Sequence, residues 1–182
     1  MKSRNRMHLQ ALVMVFSLGM AAANPCSAAP PALSHSLTRQ APQPAPALKL
    51  KDLDGKPHDL AQLKGRVVLV NFWATWCPPC RREMPSMERL SQALKNEAFS
   101  VLAINVGEDA DTINSFASQL DATLNFPILL DSQSRSLQVW KVSGLPTTYL
   151  IDQRGRIVAS AIGGREFDHP QIEQAIRDLL KK

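Results

Sequence analysis

Long apolar runs alternate with amphipathic segments along most of the chain. A continuous run of β-branched and aromatic residues is typical of a strand buried on both faces of a sheet, because neither face then needs polar positions. Five segments fit a strand, and the short polar stretch 153–155 between the last two predicts a hairpin. The predicted strands are 66–74, 99–106, 126–130, 146–152 and 156–164.

Helical periodicity lies between and after these strands. Pro85 falls inside the longest periodic segment, where it removes one backbone donor and predicts a kink. Asp168 precedes the last amphipathic segment and is the predicted N-cap of that helix. The predicted helices are 81–95, 109–120, 134–140 and 168–180.

The region before the first long strand predicts a further small element. The sequence LKDLDGKPHDL (50–60) contains an Asp54-Gly55 turn signal and predicts a short β-hairpin at the edge of the sheet. Strands that alternate with helices, followed by a terminal hairpin and helix, predict an α/β domain. Its mixed central sheet is expected to be flanked by helices on both faces.

The N-terminus has the composition of a targeting segment. Basic residues at positions 2, 4 and 6 precede an apolar run over 9–23, which is shorter than the roughly 20 residues of a spanning helix. Ala21 and Ala23 are small residues placed as a cleavage site requires, so residues 1–23 are predicted to be an export signal. An uncleaved N-terminal membrane anchor is the alternative.

Composition divides the rest of the chain. Residues 24–47 are rich in Pro, Ala and Ser, which predicts a disordered tether. Residues 48–182 have an ordinary globular composition and are numerous enough for one hydrophobic core. The formal net charge of +5 falls to +2 without the three basic residues of the signal. The rest of the chain therefore lacks the excess of basic residues that is typical of nucleic-acid binding.

Cys77 and Cys80 stand three positions apart in a Trp- and Pro-rich setting, and three kinds of site fit such a pair. A structural zinc site needs four ligands, and neither Cys26 nor any of the four histidines adds a paired spacing. A structural disulfide would close a loop too small to constrain the unfolded chain much. The third possibility is a pair that opens and closes during redox chemistry.

The local sequence favours the redox pair. The strand predicted at 66–74 leads to Cys77 at the start of a helix, where free backbone N–H groups and the helix dipole stabilise a thiolate. Pro78 occupies the first helical position, where a missing N–H has no consequence. Cys80 lies about one turn further on, within reach of Cys77. One thiol can therefore attack a disulfide and the other can resolve the product.

Three motifs carry a resemblance to a known family. The stretches NFWATWCPPCRREMP (71–85), INVGED (104–109) and GLPTTYLID (144–152) recur in the order of the TlpA/ResA-like exported thiol-disulfide oxidoreductases of the thioredoxin superfamily. The chain resembles this family from residue 48 onward. The resemblance implies a thioredoxin-like fold with an N-terminal β-hairpin and an extra helix-strand insertion near 111–130.

The resemblance also implies roles around the cysteine pair. Cys77 would be the exposed nucleophile, and Cys80 the buried resolving thiol. Pro146 would follow a cis peptide bond beside the disulfide, and the backbone of Leu145 would pair with the bound substrate chain. The residues expected to bind substrate are Trp76, Pro78, Pro79, Leu145, Pro146 and Thr147.

One position departs from thioredoxin itself. The buried Asp of thioredoxin corresponds to Asn71 here, and the resemblance to ResA-like proteins gives a comparable place to Glu83, three residues after Cys80. A carboxyl there would disfavour a neighbouring thiolate, and it could accept the proton that Cys80 loses before it attacks. The alternative is a solvated helix Glu paired with a neighbouring Arg.

The sequence and the resemblance together predict an exported, periplasmic protein-disulfide reductase that needs no cofactor. The resemblance implies substrates in cytochrome c maturation or in oxidase and copper-protein assembly, and a membrane electron donor of the DsbD/CcdA type. A disulfide oxidase or isomerase is the nearest alternative. A peroxidase of related fold would need an isolated peroxidatic Cys, and a Sco-type copper chaperone would need three residues between its cysteines and a downstream His. Cys26 is assigned no role.

Overall fold

The structure is a computed structural model that describes residues 33–181. The predicted export signal at 1–23, the first part of the predicted tether and Cys26 lie outside these residues. Within the described part, no helix combines the length and the hydrophobicity that a membrane span requires.

An eight-stranded mixed sheet forms the centre of the described residues. Its strands are β1 (Thr38–Pro44), β2 (Lys49–Asp52), β3 (Pro57–Asp59), β4 (Val67–Trp73), β5 (Phe99–Val106), β6 (Ile128–Asp131), β7 (Thr147–Ile151) and β8 (Arg156–Ile162). They are arranged in the order β1-β8-β7-β4-β5-β6-β2-β3. β4, β5 and β6 run parallel to one another, and the other neighbours pair antiparallel.

Helices cover both faces of this sheet. They are α1 (Pro78–Ala93), α2 (Ala110–Ala117), α3 (Arg135–Val139) and α4 (Pro170–Leu180). Apolar residues of α1, α2 and α4 share one core cluster with the sheet. α3 and a 3₁₀ turn at Leu60–Leu63 pack on the cluster at the other face.

The central strand β4 shows why its sequence lacks polar alternation. Val67, Leu69 and Trp73 belong to the cluster beneath α1, α2 and α4. Val68 and Phe72 belong to the cluster on the α3 face. Because successive side chains of a strand point to opposite faces, a strand covered on both sides is apolar at nearly every position.

The predicted elements are confirmed in type and order, with shifts at their ends. α1 begins at Pro78 rather than at residue 81, because proline is well suited to the first turn of a helix, and it continues through Pro85. β2 and β3 form the predicted hairpin at the sheet edge, with Gly55 at a φ of 79° in the turn. α2 and β6 form the predicted helix-strand insertion.

The predicted N-cap of the last helix is wrong. His169, not Asp168, caps α4, and its Nδ1 accepts from the Gln171 N–H at 3.3 Å. Pro170 takes the first helical position, so the cap is the residue directly before it. Asp168 instead forms an ion pair with Arg89 of α1.

The predicted disordered tether at 24–47 is wrong over its second half. Thr38–Pro44 forms β1 and pairs antiparallel with β8, from Thr38 opposite Ser160 to Pro44 opposite Arg156. Prolines are tolerated on an edge strand, where one side of the backbone needs no partner. The composition of the segment does not reveal this strand, because the edge that receives it is more than 100 residues away in sequence.

Candidate active site

The Cys77-Pro78-Pro79-Cys80 segment forms the N-terminus of α1. β4 ends at Trp73, and Cys77 takes the N-cap position with an extended backbone, at φ −92° and ψ 104°. Pro78 and Pro79 are the first helical residues, where an N–H would find no acceptor within the helix. The Cys80 N–H donates to the Sγ of Cys77 at 3.3 Å. The structure thus places Cys77 at the start of a helix, as the sequence predicts.

The two cysteines are joined in a disulfide, with their Cα atoms 5.3 Å apart. Cys80 is fully buried, whereas Cys77 retains 4% exposure. Cys77 lines an open groove of about 680 Å³, and Cys80 does not. The two sulfur atoms therefore differ in access, in the direction that a nucleophile and a resolving thiol require.

The groove beside Cys77 is largely apolar. Trp76 is 68% exposed and lines it together with Pro78 and Pro79. Leu145, from the loop before β7, and Leu137 of α3 also line it. Four of the six residues predicted to bind substrate are thus brought together around one surface: Trp76, Pro78, Pro79 and Leu145.

Pro146 and Thr147 do not line this groove. The Leu145–Pro146 peptide bond is cis, and the carbonyl of the buried Pro146 accepts from the Gly163 N–H at 2.8 Å. Thr147 is 2% exposed and its Oγ1 donates to the Gly144 carbonyl at 2.6 Å. These two residues hold the loop in place, and within residues 33–181 the backbone N–H and C=O of Leu145 have no backbone partner.

Glu83 is completely buried, so the alternative of a solvated side chain is wrong. Its Oε1 accepts from the Asn71 Nδ2 at 2.8 Å, and its Oε2 accepts from the backbone N–H of Arg165 at 3.0 Å. The Asn71 amide also donates to the Thr148 Oγ1 at 3.0 Å. Asn71 therefore holds in place the carboxyl that Glu83 supplies from the helix.

The surroundings of Glu83 change its acidity. Burial raises the pKa of Glu83 from 4.5 to about 8, while the hydrogen bonds from Arg165 and Asn71 and the charge of Arg165 act in the opposite direction. On α1, Glu83 follows Cys80 by three positions, which places both on one face of the helix. A carboxyl whose pKa burial raises to about 8 thus lies on the same face of α1 as Cys80.

Two charged residues of the site, Glu108 and Arg165, were not predicted. The carboxylate of Glu108 accepts from the Thr75 N–H at 2.7 Å, from the Thr75 hydroxyl and from the Asn105 amide at 2.7 Å, which braces the turn before the cysteines. Glu108 lies in the INVGED motif, which could have drawn attention to it. Arg165 lies in no motif, and its contact with Glu83 spans 82 positions of the sequence.

The histidines of the described part are engaged away from the cysteine pair. The Nε2 of His58 bonds to the Oδ2 of Asp52 at 2.7 Å. The rings of His35 and His169 stack with centroids 4.1 Å apart. Among residues 33–181 no group of three or more potential metal ligands occurs.

Comparisons with known proteins agree with this geometry. Residues 41–160 match the AhpC/TSA family. The thiol-disulfide oxidoreductase ResA of Bacillus subtilis is 34% identical over 166 residues, which cover 90% of this chain and 88% of the relative. ResA of Geobacillus thermodenitrificans is 42% identical over 113 residues, and the match spans 62% of this chain and only 64% of that relative.

A solved structure shares the fold. A Chlorobium tepidum protein described as a candidate thiol:disulfide interchange protein DsbE superposes with a TM-score of 0.70 at 31% identity, over 80% of this chain and 99% of that one. The family match over 41–160 and the coverage of the Bacillus subtilis protein lead to one assignment. The chain belongs to the AhpC/TSA family of the thioredoxin superfamily, among the ResA-like thiol-disulfide oxidoreductases.

Proposed function

We propose that this protein is an exported thiol-disulfide oxidoreductase that reduces disulfide bonds of protein substrates through Cys77 and Cys80. The observation that carries the proposal is the difference between the two sulfur atoms. Cys77 caps the N-terminus of α1 and lines an open groove, whereas Cys80 is fully buried and does not line it. The free N–H groups and the dipole of the helix stabilise a thiolate at Cys77, which makes it the attacking group.

The reaction proceeds in two exchanges. The Cys77 thiolate attacks one sulfur of the substrate disulfide, a mixed disulfide forms and the other substrate sulfur leaves as a thiolate. Cys80 then loses its proton and attacks the Sγ of Cys77, which releases the second substrate thiolate. The Cys77–Cys80 disulfide forms as the substrate gains two electrons.

Glu83 serves the second exchange in this proposal. Cys80 is buried, so its proton has no direct route to water. Burial raises the pKa of Glu83 to about 8, so its carboxylate form becomes populated as the pH approaches that value, and in that form it can take the proton of Cys80 and return it later. When Glu83 is ionised, its negative charge disfavours a thiolate beside it, so proton transfer from Cys80 accompanies the attack.

The groove fits an extended polypeptide segment that carries a disulfide. The free backbone N–H and C=O of Leu145 can pair with such a segment in the manner of an added strand. The exposed ring of Trp76 offers apolar contact beside the reacting sulfur. Pro78 and Pro79 complete that side of the surface, while Pro146 and Thr147 support it from within.

Each turnover leaves the pair oxidised, so two electrons must come from another dithiol. A membrane donor of the DsbD/CcdA type supplies them in this proposal, and the periplasm is the compartment that the export signal at 1–23 implies. Apocytochrome c and the disulfides of oxidase and copper-protein assembly factors are the substrates that the family resemblance favours. An exported reductase of this kind works where other thiols become oxidised.

Trapping tests the assignment of the two cysteines. Cys80→Ser is expected to accumulate mixed disulfides with partner proteins, because the second exchange is blocked, and Cys77→Ser is expected to accumulate none. The purified protein, supplied with a dithiol, should also reduce the disulfides of insulin, and both variants should lose that activity. Equal trapping by the two variants would contradict the assignment.

The redox state in cells tests the direction of electron flow. We expect the pair to be largely reduced when its membrane donor is present and oxidised when the donor is removed, as measured by alkylation of the free thiols. A pair that is oxidised in both backgrounds would instead favour the disulfide oxidase. Consumption of hydrogen peroxide by the reduced protein would favour the peroxidase.

A further inference from the structure

The loop 163–167 belongs to the connection between β8 and α4, and it contacts two different parts of the molecule. On one side it lies against α1, where the Arg165 N–H donates to the Oε2 of Glu83 at 3.0 Å. One turn further along α1, the Oγ of Ser86 accepts from the Phe167 N–H at 3.0 Å. This loop therefore closes over the buried carboxyl from a distant part of the sequence.

On its other side the loop is held by the segment that precedes β1. The Ser34 N–H donates to the Gly164 carbonyl at 3.2 Å, and the Ser34 carbonyl accepts from the Glu166 N–H at 2.9 Å. The guanidinium of Arg165 connects the two, since its Nε donates to the Ser36 carbonyl at 2.7 Å. Residues 33–37, which precede β1, thus lie across the loop as a strap.

The same guanidinium also fixes the shape of the loop. The Nη1 of Arg165 donates to the carbonyls of Gly163 and Gly164, at 2.9 and 3.0 Å. An arginine fork can hold several carbonyl groups at once in one plane, which a flexible ammonium cannot do as well. The orientation of the Arg165 N–H toward Glu83 therefore depends on the side chain of the same residue.

The charge of Arg165 reaches Glu83 as well. The carboxyl accepts from the neutral Asn71 amide of β4 and from the Arg165 N–H of the loop, and Cys80 lies about one turn earlier on the same face of α1. Arg165 is the charged group whose attraction lowers the pKa of Glu83 against the effect of burial. Arg81, a sequence neighbour of Glu83, lies elsewhere, with its guanidinium 5.2 Å from the centre of the Phe116 ring.

We propose that Arg165 is a positioning residue for the second exchange. Its guanidinium, held by the strap, keeps the loop N–H and a positive charge against the Glu83 carboxylate, and this carboxylate takes the proton of Cys80. The inference rests on the proposed function. The segment 33–37 anchors the side chain of this arginine. Arg165 touches neither substrate nor the sulfur atoms, and it acts through Glu83.

The test follows the second exchange directly in the full chain with Cys26→Ser, so that Cys77 and Cys80 carry its two thiols. The reduced protein is mixed with an equimolar amount of Ellman's reagent, an aromatic disulfide. Cys77 attacks it and releases one coloured thiolate; Cys80 then attacks the mixed disulfide and releases the other. Stopped-flow absorbance separates the two phases, and the rate of the second is measured across the pH range in which Glu83 and the thiols titrate.

We expect the wild-type profile to contain an inflection that Glu83→Gln lacks. Arg165→Gln should move this inflection upward by about one pH unit, since an opposite charge near a carboxylate lowers its pKa by about that amount or more. Arg165→Lys keeps the charge and should move it by less. The control is Arg154→Gln, which removes one exposed positive charge from the turn between β7 and β8 and should leave the profile unchanged.

The outcomes separate this inference from the proposed function. An Arg165→Gln profile that coincides with wild type, while Glu83→Gln still removes the inflection, overturns the positioning role. A shifted inflection in a protein that does not reduce insulin upholds the positioning role and contradicts the proposed function. An inflection that persists in Glu83→Gln overturns both the proton transfer and the inference.

Amide exchange keeps the test valid if Arg165→Gln does not fold. Arg165→Lys loses the fork to Ser36, Gly163 and Gly164, so the backbone amide at position 165 is expected to exchange faster with solvent, with the amides of α4 unchanged. Unaltered exchange at position 165 would contradict the strap.

Discussion

Replacement of Glu83 by Gln should change how stability depends on pH. Burial raises the pKa of Glu83 in the folded protein from 4.5 to about 8. Between these values the folded protein keeps a proton that the unfolded chain releases. The free energy of unfolding of the wild type therefore falls as pH rises through this interval, because the folded state binds more protons.

The size of this effect follows from the two pKa values. At about 1.4 kcal/mol per pH unit, the gap corresponds to a loss of at most about 5 kcal/mol between the acidic and the alkaline end. Glu83→Gln has no proton to lose. It costs about 1–3 kcal/mol at acidic pH, because its amide NH₂ cannot accept from both Asn71 and Arg165. The variant should gain stability relative to wild type as pH rises and become the more stable protein at alkaline pH.

Urea unfolding of the oxidised proteins, followed by tryptophan fluorescence at a series of pH values, measures this difference. Keeping the disulfide intact in both states removes thiol titration from the comparison. Glu173→Gln is the matched control, since Glu173 lies in a half-exposed ion pair with Arg177 on α4. If wild type and Glu83→Gln show parallel pH dependences, the raised pKa of Glu83 is wrong.

Three further changes test other parts of the site. Trp76→Ala should lower kcat/KM for reduction of a protein disulfide about tenfold, because an exposed tryptophan at a docking surface commonly contributes binding free energy of that size. The reaction of this variant with Ellman's reagent should not change. A parallel loss in both assays would place Trp76 in the chemical step instead. Asn71→Leu removes a donor to Glu83 and should move the Glu83-linked inflection of the second exchange upward, whereas an unchanged inflection would show that this hydrogen bond does not tune the carboxyl. Gly164→Ala adds a Cβ at 3.2 Å from the Pro79 carbonyl oxygen, so thermal unfolding should show that the free energy of unfolding falls by about 1 kcal/mol. A more stable variant would contradict the close approach of the loop to the start of α1.

The order of elements could be predicted because each depends on local patterns. β4 is apolar at nearly every position, and the helical spacing of α1 continues for about four turns, so neighbouring residues alone identify both. The position of Cys77 at a helix start follows in the same way, from the strand before it and the prolines after it. Element ends were predicted less well, since a one-residue change in the capping residue, from Asp168 to His169, leaves the pattern the same.

The N-terminal strand shows the limit of such reasoning. The Pro- and Ala-rich segment before residue 48 buries little, and its composition is that of a tether. Thr38–Pro44 becomes a strand because the outer edge of β8 is free to pair with it. A strand of this kind depends on its partner rather than on its own sequence.

The sequence by itself determined that two cysteines stand at the start of a helix, with a carboxyl three residues beyond them. Whether Glu83 is solvated or buried depends on what covers that side of α1. The tertiary structure decided this with the loop 163–167, whose Arg165 N–H meets the carboxyl across 82 positions of sequence. Proton affinity depends on the dielectric and on the charges around a group, and these come from residues that only folding brings together.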